Sequence, residues 1–192
     1  MKKQTKKEIV SYVLSTLFLY GFSLVFSLLS LIFIADKIPK WVQFVVSFVF
    51  IAPILYIAYV QGRTQGEKLF KARAKTSLTD LHAEQAIRLP YHKCVWHVIG
   101  FCVPLVLCTV FAVALKNTVF RLIVLAFEFP VALMFYSVGV IDIAVASPIM
   151  FAIFVPYALI VAGIFVLGYL LTLYRLKRRQ ADIESEIRMF DN

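Results

Sequence analysis

Metal-capable side chains crowd into one stretch of this chain: His92, Cys94 and His97 fall within six residues, with His82 upstream. Imidazole nitrogen and thiolate sulfur are the ligands that hold zinc and softer metals. Two histidines on one helix grip a metal when they stack at i and i+4, but His92 and His97 are five apart and the second cysteine of a zinc motif is missing. The expectation is of interfacial side chains beside Tyr91 and Trp96, because amphipathic rings belong at the depth of lipid headgroups. Neither a metal nor a cofactor is expected.

A second set is charged: Arg121, Glu128 and Asp142 interrupt an otherwise apolar stretch. Arg121 and Glu128, seven residues apart, project on nearly the same face of a helix, with Asn117 one turn before Arg121. Charges in hydrocarbon must find partners, so these two are expected to satisfy each other and hold helices together. The alternative is a polar path lined by Arg121, Glu128 and Asp142, since an intramembrane acid suits proton or cation handling. No catalytic residue is expected: the chain has no H-E-x-x-H or G-x-S-x-G sequence and no close pair of carboxylates. A general acid or base needs a partner within hydrogen-bond reach, and none is visible.

The elements that must position these residues are helices in a bilayer. Of 192 residues 61% are hydrophobic and 16% charged, against about 45–50% apolar and 25% charged in soluble domains. Mean hydropathy is +0.86. Four apolar runs, about 12–34, 42–60, 94–115 and 149–174, each supply the ~20 residues a bilayer core needs. No linker, low-complexity tract or repeat divides the chain, which predicts one all-helical polytopic membrane domain. The first run is longer than a signal-peptide core and lacks a small-x-small cleavage site, so an uncleaved signal anchor is expected. Cys94, Cys102 and Cys108 have no C-x-x-C spacing and are expected to be free thiols.

Charge predicts the topology. With four full spans, 16 of the 20 Lys and Arg residues lie on the side of the termini and 4 on the other; if 117–148 also crosses once, the split becomes 11 to 9. Positive-inside bias favours the first arrangement, in the cytoplasmic membrane with both termini cytoplasmic and 117–148 folded back as a re-entrant or interfacial segment. Arg121, Glu128, Pro130, Gly139, Asp142 and Pro148 are the defects expected of such a segment.

The predicted cytoplasmic loop, 61–93, is net positive by four. Gly62 and Gly66 are read as a sharp exit from the second span, followed by a helical face of Lys68, Lys71 and Lys75 suited to anionic lipid headgroups. Ser77 with Asp80 resembles a capping box for a short helix that Pro90 stops. Without interleaved aromatic residues for base stacking, nucleic acid is not an expected partner. In the tail, 175–192, Ile183, Ile187 and Phe190 form a short apolar stripe suited to packing on the loop or binding a partner weakly. Along the first span, Thr16, Tyr20, Ser23, Ser27 and Ser30 form a seam of 3.5-residue period, the mark of a face buried against another helix of this chain or of a second copy.

The run Tyr59, Val60, Gln61, Gly62, Arg63, Thr64, Gln65, Gly66, Glu67, Lys68 after two spans, with Gly168, Tyr169 and Leu170 near the end of the last, resembles small uncharacterised bacterial multi-pass membrane proteins. That resemblance implies the layout and carries no activity with it. With little chain outside the bilayer, the expected function is non-catalytic: an accessory, regulatory or immunity-type partner of a larger membrane complex. The alternatives are a small transporter or channel subunit using Arg121, Glu128 and Asp142, and a membrane-embedded enzyme using the histidine cluster.

Overall fold

The computed structural model describes the backbone of residues 2–34, 38–79, 94–116, 118–142 and 148–190, and side chains for most of 10–33, 38–71, 94–142 and 149–181. The described residues form five helices: α1 (Lys2–Leu31), α2 (Lys40–Thr79), α3 (Val95–Ala114), α4 (Thr118–Ser137) and α5 (Pro148–Phe190), with a 3₁₀ turn, Ile32–Ile34, after α1. Each is long and apolar enough to cross a membrane, as in a multi-pass membrane protein. In hydrocarbon a backbone amide has no water to bond, and a helix satisfies its own. The same economy governs hydroxyls: Ser47, Thr64, Thr109 and Thr172 each donate to the carbonyl four residues back, at 2.7 to 2.8 Å. Pro53, Pro104, Pro130 and Pro156 lie inside helices, a placement membrane helices tolerate better than soluble ones.

Side-chain contacts give the direction of each helix. Ser11 and Ser15 of α1 bond Gln65 and Gln61 of α2, so these two run antiparallel. Thr16 meets His97 and Tyr20 meets the Phe101 carbonyl, so α1 and α3 run parallel. His97 packs on Phe165 and Cys102 donates to the Ala158 carbonyl, so α3 and α5 are antiparallel. Hence α2 and α5 are parallel, and Lys68 and Lys71 share one end of the bundle with Arg175, Lys177, Arg178 and Arg179, all exposed. This is the basic end.

The tightest contact joins α2 to α5. Gly62 sits against the Phe165 carbonyl, a Cβ added at Gly66 would stand 3.0 Å from the Tyr169 carbonyl oxygen, and Gly168 meets the Tyr59 carbonyl. Glycines at i and i+4 occupy one helix face and let two backbones approach. That contact corrects the expected chain exit at Gly62 and Gly66: α2 continues as helix to Thr79, because the absence of side chains serves packing here rather than a turn. The expected short helix after Asp80 lies outside the described residues.

The fourth helix differs from the others. Glu128 leaves helical geometry at φ −121°, ψ 16°, two residues before Pro130, and breaks α4 into arms 118–127 and 129–137. Pro130 has no amide to donate, which weakens the ladder at that point. Phe120 stacks near Phe111 at the end of α3, with centroids 5.2 Å apart, while Lys40 lies 4.4 Å over the Tyr136 ring at the start of α2. Both places are at the end opposite the basic one, so α4 begins and finishes at the same end of the bundle. At 1.5 Å per residue each arm is about 14–15 Å long, half the depth of a straight 20-residue helix. Its finish is capped by Gly139 at φ +76°, with Gly139 N–H donating to Tyr136 and Val140 N–H to Phe135, both at 3.0 Å. These two bonds form a Schellman cap, whose left-handed residue suits glycine.

Candidate functional site

The break in α4 puts a carboxyl in the core. Glu128 is 1% exposed, and neither of its oxygens has a hydrogen-bond partner among the described residues. Its neighbours along α4, Val124, Leu125, Phe129 and Pro130, are buried as well. Three hydroxyl or thiol groups lie within electrostatic range: Tyr20 from α1, Cys102 from α3 and Tyr157 from α5. The Tyr157 hydroxyl is itself buried, with no hydrogen-bond partner among the described residues. The arm 129–137 starts at this residue, so the carboxyl lies at the positive end of a half-helix dipole. Residues that stay polar at such depth with no structural partner mark functional sites in membrane proteins.

The expected pairing of Arg121 with Glu128 is not formed. The face argument assumes a continuous helix, whereas Glu128 sits at the break about two turns from Arg121, or ~10 Å along the axis. Asp142 is exposed beyond the Gly139 cap rather than interior. Arg121 is half-buried on the first arm. Of the three expected path residues only Glu128 lies in the core.

From the basic end a ladder of polar side chains climbs α1 toward Glu128. Its rungs are Ser11 with Gln65 (3.2 Å from the amide nitrogen), Ser15 donating to Gln61 (3.0 Å), Thr16 with His97 Nδ1 (3.4 Å), and Tyr20 donating to the Phe101 carbonyl (2.8 Å). The Tyr20 ring then lies 5.1 Å from that of Phe127, the residue before Glu128. Between the rungs is a cavity of about 10 Å³ touched by Thr16, Gln61, His97, Phe101 and Phe165, close to the ~10–15 Å³ that one water needs. Beyond Tyr20 the same seam continues as buried Ser23, Ser27 and Ser30, facing a half of the bundle that also buries Gln43 and Ser47 of α2. The 3.5-residue seam thus faces the interior of this chain.

The histidine cluster resolves differently. His97 is buried, against Phe165 at 4.2 Å between centroids and against Thr16, rather than interfacial. Cys94 is buried at the start of α3, and burial pushes its thiol up from the ordinary value. His82 and His92 lie outside the described residues. No group of three metal-capable side chains occurs among the described residues. Lys68 and Lys71 are exposed at the basic end, while the side chain of Lys75 lies outside the described set, as do those of Ile183, Ile187 and Phe190. Cys94, Cys102 and Cys108 are thiols, and no disulfide occurs among the described residues.

The ladder was only half legible in sequence. The hydroxyl seam of α1 was visible, but its partners Gln61, Gln65 and His97 sit 46 to 81 residues away, and no local period ties them to it. Compared with protein-family models, curated proteins and solved structures, the chain matches none.

Proposed function

We propose that the chain is a four-span membrane protein in which α4 is a re-entrant hairpin, and that it works as a small transporter or channel subunit handling a cation or proton at Glu128. The single observation that carries this is the buried, unpartnered carboxyl at the tip of a broken helix. Broken helices near the midplane, with an ionisable group at the break, are how many transporters build their ion sites.

Two exposed tryptophans support the membrane placement: Trp41 at the start of α2 and Trp96 at the start of α3, at opposite ends of the bundle. Trp96 adjoins His97, whose partner Thr16 neighbours Ser15 and hence Gln61, so the two rings are about 20 residues apart along α2. Twenty residues rise ~30 Å, the thickness of the hydrocarbon core, and tryptophans favour both of its edges. Arms of ~15 Å entering from the Trp41 side would bring Glu128 to the midplane. Positive-inside bias supports a cytoplasmic basic end, with Lys68 and Lys71 beside anionic headgroups.

The test is flux. Purified protein in liposomes should dissipate an imposed proton or cation gradient, and Glu128→Gln should lower the rate by roughly tenfold or more, as expected when an intramembrane ion-handling acid is removed. Rates equal to those of protein-free liposomes would sink the proposal and leave an accessory or regulatory role with a larger membrane complex, which co-purification in mild detergent would then address.

A further inference from the structure

Resting on ion handling at Glu128, we infer that the ion reaches it from the end opposite the basic one, and that the arm 129–137 is the gate: swinging about the break at Glu128, it admits water along a polar seam that α1 and α2 hold beneath it.

The seam follows from register. Ser11 meets Gln65, Ser15 meets Gln61, and the Phe26 and Phe50 rings lie 6.2 Å apart, so α1 and α2 keep one antiparallel pairing along their length. On that pairing Ser30 stands between Gln43 and Ser47, with Ser27 and Ser23 following it inward, and all five are buried. Steps of three or four residues along α1 rise about 5–6 Å each. Ser27 is 1% and Gln43 2% exposed, yet Ser27 Oγ and Gln43 Oε1 have no hydrogen-bond partner among the described residues. The Ser30 and Ser47 hydroxyls donate to the Ser27 and Gln43 carbonyls, which leaves their own oxygens as acceptors. A row of unmet acceptors is costly inside a bilayer, and water or a cation is what relieves it. The hydroxyls of the other half are already engaged: Ser11 with Gln65, Ser15 with Gln61, Thr16 with His97 and Tyr20 with the Phe101 carbonyl. That half has less to gain from water.

The arm covers that seam with carbon. At the tip of α4 the Phe127 ring lies 5.1 Å from that of Tyr20, and near its finish Tyr136 lies under Lys40, so the arm runs from the level of Tyr20 to the start of α2, the depth that the seam occupies. Helix α4 packs on both α1 and α2. The arm's buried side chains include Phe129, Val131, Ala132 and Leu133, none of which can hydrogen-bond, and the Ser137 hydroxyl turns back to the Met134 carbonyl. Among the described residues no hydrogen bond joins the arm to another helix, and Lys40, 4.4 Å over the Tyr136 ring, holds its end. At the other end the helical geometry already fails at Glu128 and Pro130 gives up its amide, and hinges sit at such element ends. Swung away from α1 and α2, the arm opens a wedge whose walls are the seam and whose apex is the Glu128 carboxyl.

Cysteine accessibility of the full chain in its membrane tests this. In a background with the native cysteines replaced, Ser27→Cys, Ser30→Cys and Ser47→Cys each exchange one atom and report separately. They should react with a cationic, membrane-impermeant methanethiosulfonate from the face that reaches Trp41→Cys, and not from the face that reaches Lys71→Cys, both of these being exposed positions; intact cells and inverted vesicles present the two faces. Thr16→Cys, on the basic side of Tyr20, should stay unmodified from the Trp41 face. Tyr136→Leu removes the ring under Lys40 and should speed the reaction of Ser30→Cys roughly two- to fivefold, the fold-change of one exposed cation–π contact. Folded seam variants that do not react, reaction from the Lys71 face, Thr16→Cys modified as fast as Ser30→Cys, or a rate indifferent to Tyr136→Leu would each overturn the inference. A reactive seam in a protein without liposome flux would sink transport and leave the gate standing. Glu128-dependent flux with an unreactive seam would do the reverse.

Discussion

Adding one methyl group at Gly62 and one at Gly163 should have opposite effects. At Gly62 a Cβ falls inside the Phe165 carbonyl oxygen, with the Phe165 carbonyl carbon at 2.9 Å and the Tyr169 nitrogen at 3.0 Å. These are backbone atoms of α5 that cannot rotate away, so α2 and α5 must part until the contact returns to the ordinary range, which begins at 3.4 Å. Overpacking of this kind costs about 1–3 kcal/mol, and a rigid obstacle puts Gly62→Ala at the upper end. Alanine recovers ~1 kcal/mol of helix propensity, leaving a net loss of about 2 kcal/mol. Gly163 also lies in α5, but nothing stands within 4 Å of its Cβ position, so Gly163→Ala keeps the propensity gain of up to ~1 kcal/mol. The gap of about 3 kcal/mol between the variants is a factor of over a hundred in the unfolding equilibrium. Reversible unfolding in mixed detergent and SDS micelles, followed by helicity, measures both. Equal stabilities, or a Gly163→Ala variant weaker than Gly62→Ala, would refute the close parallel contact of α2 and α5.

Glu128→Leu should stabilise the protein by about 1–3 kcal/mol in the same unfolding assay, because it removes an unsatisfied buried polar group at similar volume; it should also abolish flux, and a loss of stability instead would mean that the carboxyl has a partner. Lys116, at φ 48° after α3, adopts a left-handed conformation that costs a non-glycine residue roughly 1 kcal/mol, so Lys116→Gly should raise the unfolding midpoint, and an unchanged or lowered midpoint would count against that cap. Burial raises the Cys94 thiol despite its place at a helix start, so with Cys102 and Cys108 replaced, alkylation by maleimide should be slow at neutral pH and still accelerate above pH ~9.5, about one unit past the ordinary thiol pKa of ~8.5, where an ordinary thiol has levelled off; a rate already level there would contradict the burial.

Helix identity and the α1 seam were legible because hydrophobic length and a 3.5-residue period are local properties. Gly62 and Gly66 were not, since the same spacing serves a turn or a close contact, and the deciding neighbour lies about a hundred residues later at Phe165 and Tyr169. The runs 59–68 and 168–170 thus meet in a packing contact rather than at a chemical site. The Arg121 and Glu128 pairing failed because an i, i+7 face argument presumes an unbroken helix, and Pro130 was read only as a defect. The significance of Pro130 is that it frees the chain to turn at Glu128. His97 was read from its sequence neighbours Tyr91 and Trp96, whereas Thr16 and Phe165 decide its surroundings.

The central claim is that α4 returns to the side from which it starts, carrying Glu128 to the middle of the bundle. Single cysteines introduced at Lys116, Asp142 and Lys71, all exposed, in a background with the three native cysteines replaced, test it through labelling by an impermeant thiol reagent in intact cells. Labelling of Lys116→Cys and Asp142→Cys together, with Lys71→Cys labelled only after permeabilisation, is the predicted result. Labelling of one of the first pair and protection of the other would mean that α4 crosses the membrane, and the re-entrant site at Glu128 would fall with it.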